Sequence, residues 1–250
     1  MAPAPPPPRA SAPRVPGIRV SVVVGLVASL GWASCGGGRA VADPPDYEAV
    51  EAPRGRALQE LGPLACRRWL ARLEVPHRAA EHERIDQAVR LTGPVAGVAV
   101  EYVGRNREHT LMDCRLVVAL AQWARALRAE GVTRIRHLSA YRGGARVRGT
   151  GSPSGHAKGL ALDVRYLHFG DGESAEVFDV LEGWQPRGRG DDPCASHAGE
   201  EARSRALREG LCAAVEAGLF QVVVTPHHND AHANHVHVEV VPDVGWTWMR

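Results

Sequence analysis

The residues with the clearest chemical potential lie in two short segments of the C-terminal half. Five of the 12 histidines fall between residues 227 and 237: His227, His228, His232, His235 and His237. Within this run, Asn234-His235-Val236-His237-Val238-Glu239-Val240 alternates strictly. In a strand that pattern puts His235, His237 and Glu239 on one face while the valines enter the core on the other. Leu160-Ala161-Leu162-Asp163-Val164 alternates likewise and sets Asp163 opposite Leu160, Leu162 and Val164. If the two strands are neighbours, Asp163 and the histidines converge. His156 precedes Asp163 by seven residues, at the close of a glycine-rich loop where Gly155 and Gly159 let the backbone bend the imidazole back over the sheet.

Imidazole and carboxylate are ligand types that suit zinc, and a catalytic zinc takes three protein ligands and keeps a fourth position open. His156, Asp163 and one of His235 and His237 complete that count. The other histidine of the pair then stands near the open position, where an imidazole suits proton transfer. Plainer readings compete residue by residue. A lone His-x-His is more often an exposed strand, a lone Asp163 a strand-edge carboxylate, and a lone His156 a loop residue. His227, His228 and His232 lie in a Pro/Asn/Asp loop and read as solvated or as supports for ligands. Metal scavenging by the histidine cluster is a third reading, and it requires several ions per chain.

The elements that must position these residues follow from periodicity. Residues 57–73 have helical spacing, with Gly62-Pro63 marking the true start. Residues 113–130 form the strongest helix pattern, capped by Asp113 and stopped at Gly131, and 199–217 form a second. Strands are expected at 96–103, 134–140, 160–167, 219–224 and 234–241, with a Gly/Arg-rich loop at 142–155. The fold class is therefore α+β: one domain, residues 57–250, with a small antiparallel sheet carrying the zinc site and packed against helices.

Of the 250 residues, 44% are hydrophobic and 23% charged, which excludes disorder throughout. Arg9, Arg14 and Arg19 precede an uncharged apolar stretch at residues 20–34, the form of a secretory signal too short for a comfortable membrane span. Residues 1–35 are read as that signal. Trp32-Ala33-Ser34-Cys35 is similar to a lipobox and makes Cys35 a lipidation site, while Ala40-Val41-Ala42 offers cleavage after residue 42; an uncleaved anchor is the remaining alternative. Residues 36–56 form a Gly/Pro/Ala-rich linker. Each reading places the domain outside the cytoplasm, in the periplasm or on a membrane-anchored lipoprotein of the cell envelope. Residues 36–250 hold 27 basic and 28 acidic groups, so no basic field attracts nucleic acid, and a monomer is expected. In an oxidising compartment Cys66, Cys114, Cys194 and Cys212 imply two disulfides. Three connectivities are open; Cys194 with Cys212 and Cys66 with Cys114 is favoured, because the first pair encloses a short polar loop leading into a helix. No C-x-x-C spacing points to zinc-thiolate.

Ser154-Gly155-His156-Ala157-Lys158-Gly159-Leu160-Ala161-Leu162-Asp163 resembles the S-x-H-x-x-G-x-A-x-D motif of the D-Ala-D-Ala metallopeptidase superfamily, which includes lysostaphin-type enzymes and the hedgehog domain. With the downstream His-x-His, residues 64–241 most resemble the bacterial extensin-like C-terminal domain family. The resemblance implies a hedgehog/D-Ala-D-Ala peptidase-like fold and one zinc per chain held by His156, Asp163 and His237. It implies an acid/base role for His235, oxyanion stabilisation by Arg142, and a loop-holding or substrate-contacting role for Ser154. Asn234 stands where the carboxypeptidase branch has its glutamate. Tyr141 stands where many extensin-like members carry a cysteine, so the resemblance leaves the disulfide pairing open. The implied function is an exported zinc metallopeptidase that hydrolyses an amide bond in peptidoglycan peptides. The alternative is a non-catalytic, zinc-containing wall-binding module. In both cases peptidoglycan peptides are the partner, and the membrane is met only through the N-terminal signal or lipid.

Overall fold

A computed structural model describes residues 52–185 and 191–250. The signal segment of residues 1–35 with Cys35, and most of the expected linker, lie outside the described residues. Pro63, at the first helical position, opens α2 (Pro63–Arg72) after a short α1 (Gly55–Gln59), as the Gly62-Pro63 pair predicts. Three short strands follow: β1 (His77–Ala79), β2 (Ala88–Leu91) and β3 (Ala99–Tyr102). After β4 (Met112–Asp113), the Asp113 side chain accepts from Arg115 N and caps α3 (Cys114–Ala129), which ends at Gly131 in the left-handed region. The rest of the chain forms β5 (Val132–Ser139), β6 (Ala161–Phe169), β7 (Glu176–Asp179), α4 (Val180–Gly183), α5 (Ala202–Glu216), β8 (Val222–Val224), β9 (Val236–Glu239) and β10 (Trp248–Met249).

The site is built on a seven-stranded sheet of order β10-β8-β9-β6-β5-β3, with β7 pairing the far half of β6. Its centre is antiparallel, as the alternating segments predict; parallel pairs at both ends, β3 with β5 and β8 with β10, make it larger and mixed. β1, β2 and β4 form a second, three-stranded antiparallel sheet.

One face of the large sheet packs on helices. Leu162, Val164, Val236 and Val238 share a core with Leu116, Leu120, Trp123 and Leu127 of α3 and Leu207 and Leu211 of α5. Burial of this apolar surface drives the fold. The alternate residues of β6 and β9 are thereby turned to the other face, where Asp163 and His237 are direct cross-strand partners. Both favoured disulfides form, Cys66–Cys114 and Cys194–Cys212. The first ties α2 to the start of α3, next to Asp113, whose backbone N donates to Gly159 O and so steadies the turn that carries His156.

Candidate metal centre

Asp163 occupies the middle of a row that runs across neighbouring strands, Ser139 on β5, Asp163 on β6, His237 on β9 and Val224 on β8. His156 is added from above by a single helical turn, Gly155–Lys158, in which the His156 amide donates to Ser154 Oγ. This turn lies so close to β9 that a Cβ on Gly155 would collide with the Glu239 carboxyl, and Gly159 closes it at φ +66°. Both positions therefore need glycine.

The hydrogen bonds fix where each imidazole lone pair points. His156 Nδ1 donates to Ala140 O at 2.6 Å, and His237 Nε2 donates to Glu239 Oε2 at 2.9 Å. With the outer nitrogens committed as donors, the inner nitrogens, His156 Nε2 and His237 Nδ1, face Asp163 Oδ1 at 2.9 and 3.0 Å and each other at 3.2 Å. Asp163 Oδ2 is held aside by Ser139 Oγ at 3.0 Å. Three electron-pair donors thus meet at one point with their outer atoms fixed by carbonyl, carboxylate and hydroxyl, the arrangement that orients metal ligands.

The surroundings favour positive charge at this point. Burial would lower His237, but hydrogen bonds to Asp163 and Glu239 outweigh it and hold the imidazole at about 9. Burial lowers His156 against its bond to Asp163, and the three histidines keep Asp163 well below the usual carboxylate range despite burial. The triangle of ligand atoms also fits a metal. Tetrahedral zinc, with bonds of about 2.0–2.1 Å, spaces its ligand atoms by about 3.3 Å, and the edges here are 2.9, 3.0 and 3.2 Å. Among the described residues His156, Asp163 and His237 are the group that could hold a metal ion.

His235 stands beside this triangle with Nε2 3.4 Å from Asp163 Oδ1. Its Nδ1 lies 2.8 Å from Asn234 Oδ1 and donates to it, so a neutral His235 in that form carries its lone pair on Nε2. Asn234 Oδ1 thus favours a proton on His235 Nδ1. The Arg142 guanidinium lies 3.7 Å from Asp163 Oδ2 and is half exposed, and its backbone N donates to His156 O. A pocket of about 670 Å3 opens above the triangle, lined by Arg142, Ser154, His232 and His235 among others.

The structure thus brings His156, Asp163, His237, His235, Arg142 and Ser154 into one site. Three contributors were not singled out from sequence for these roles: Ser139, the Ala140 carbonyl and Glu239. For Glu239 the alternation with His235 and His237 was the available signal; for Ser139 there was none, since its contact depends on the register of β5. His232 is half-buried at the pocket wall, its ring 5.1 Å from that of His235, and burial with its two histidine neighbours lowers it to about 4. His227 bonds Thr225 Oγ1, and His228 meets Trp248 edge-on.

The sheet and its buried histidine-carboxylate triangle define an α+β protein with a candidate metal centre. The family model described as extensin-like protein C-terminus matches residues 64–249. The chain belongs to that extensin-like C-terminal family. No curated protein and no solved structure matches it.

Proposed function

We propose that this protein is an exported zinc-dependent hydrolase of an amide bond in peptidoglycan peptides, within the D-Ala-D-Ala metallopeptidase, lysostaphin-type and hedgehog superfamily. The observation that carries the reading is the meeting of His156 Nε2, His237 Nδ1 and Asp163 Oδ1 on the floor of an open pocket, with the His235 lone pair beside them. Bound there, zinc supplies Lewis-acid polarisation of a carbonyl and a water acidified to a pKa of about 7. His235 Nε2 accepts the proton of the attacking water and returns it to the leaving amine. Asn234 Oδ1, by holding His235 Nδ1–H, keeps Nε2 available for both transfers. Arg142 donates to the carbonyl oxygen as it gains negative charge. Ser154 holds the His156 turn in place.

Export is supported by the arginines at 9, 14 and 19 before the apolar stretch and by two disulfides, which persist in oxidising compartments. Anchoring follows through lipid on Cys35, or release through cleavage after Ala42. Among the described residues no helix is long and apolar enough to cross a membrane.

The test is a mass-spectrometric digest of purified muropeptides by the zinc-loaded protein beside Asp163→Ala and His235→Ala. New fragments are expected from the wild type, and none from Asp163→Ala. His235→Ala should lose about 100-fold or more in rate while keeping its metal. Intact muropeptides after incubation with a protein holding one zinc would contradict hydrolysis and favour the wall-binding module.

A further inference from the structure

The pocket has two unlike sides, and the strand order sets them. Beyond β9, β8 and β10 supply Val222, Val224 and Trp248; the segment between β5 and β6 supplies Arg142, Arg146 and Arg148. That segment is a small hairpin. Arg146 and Pro153 form an antiparallel bridge, Val147 N donates to Ser152 O, Ser154 N donates to Ala145 O, and Arg146 Nη1 donates to Gly151 O at 2.7 Å. These bonds hold the segment that carries the arginines at the pocket.

Several arginines elsewhere are matched with acids: Arg115 with Asp113, Arg165 with Asp179, Arg208 with Glu200. Arg146 and Arg148 have no carboxylate partner among the described residues. The acids of the pocket are committed, Asp163 to the histidines and Ser139, and Glu239 to His237; Asp230 also has a partner. The chain as a whole carries only +2, so this concentration of positive charge is local. A guanidinium pairs with a carboxylate through parallel hydrogen bonds, and a cleft lined by one sign of charge concentrates the opposite sign.

We propose that Arg146 and Arg148 bind a carboxylate of the substrate, so that the site takes acidic peptides. The acid group lies on the hairpin side of the scissile bond, and aliphatic groups lie against Val222, Val224 and Trp248. This rests on the amide-hydrolase reading above and narrows its substrate class. Arg142, nearest Asp163, remains for the reacting carbonyl.

Calorimetry on the zinc-loaded full chain tests it with two probes of one sequence, a peptidoglycan stem peptide with free carboxylates and its fully amidated form. The acidic peptide is expected to bind about tenfold tighter, with the difference shrinking as salt is raised. Arg146→Gln and Arg148→Gln should each reduce the preference while metal content stays at the wild-type level, the double substitution should abolish it, and Arg148→Lys should retain part of it. A wild type that binds both peptides alike, or neither, overturns the inference, and so does a preference that survives the double substitution. Hydrolysis is read separately. Arg148-dependent binding without cleavage would remove the hydrolase reading and leave this inference standing; equal binding and cleavage of both peptides would do the reverse.

Discussion

His237 and His137 are both buried, on strands that flank β6 from its two sides, yet their imidazoles titrate in opposite directions. Burial pulls both down. At His237 the bonds to Asp163 and Glu239 override burial and raise the group to about 9. His137 lies against Tyr102, with no carboxylate in ion-pair contact among the described residues, and burial outweighs the more distant charge of Asp163 and leaves it at about 4. β5 passes through both environments: His137 pairs with Val164 and Ser139 with Asp163, and a register shift separates them. Enclosure by itself makes a neutral histidine. A cation site requires that the enclosing atoms be acceptors, and hydrogen bonds to Asp163 and Glu239 make the difference.

Asp163→Asn should produce the largest change, because it removes the carboxylate that three histidines share. Metal retention should be lost, and in the metal-free variant His237 should fall from about 9 while the Glu239 bond remains. A proton NMR titration reads this directly, and a His237 that stays near 9 would assign the effect to Glu239 alone.

The His137 side of the comparison predicts a pH-dependent stability. Its folded pKa of about 4 lies below the unfolded value of 6.5. The contribution is therefore fully present above pH 6.5, declines as pH falls, and is gone once pH has passed through about 4. The loss amounts to about 3 kcal/mol. Urea unfolding of metal-free wild type and His137→Gln across pH 7 to 4 should show the wild type losing that much more than the variant; parallel curves would argue against a buried neutral His137.

Glu239→Gln should give the smallest effect. It keeps a hydrogen bond to His237 but removes the charge that makes Nδ1 a stronger ligand, and about 10- to 100-fold in metal affinity should go. Competition with a chromophoric chelator measures it. An unchanged affinity would confine the comparison to Asp163.

The sequence is most readable where one pattern is sustained. α3, α5, and the segments around β6 and β9 carry an apolar period over enough residues of sequence for it to declare itself, and the alternation sets Asp163, His235 and His237 on a shared face. β1, β4, β7 and β10 have two to four residues each and exist because a neighbour's register offers a ladder, so no local period marks them. The outer partners of the ligands escape for the same reason. Ser139 reaches Asp163 only through the irregular register of β5, and the Ala140 carbonyl meets His156 through a fold-back across the hairpin. The choice between His235 and His237 as ligand, open from spacing, turns on which inner nitrogen joins the Asp163–His156 triangle, and the geometry selects His237.

The central claim is that His156, Asp163 and His237 hold one metal ion while His235 serves beside it. Zinc content after dialysis of the wild type and the four single alanine variants tests this most directly. One ion per chain is predicted for the wild type and His235→Ala, and none for His156→Ala, Asp163→Ala or His237→Ala. Several ions per chain in the wild type, or one ion retained by Asp163→Ala, would contradict it.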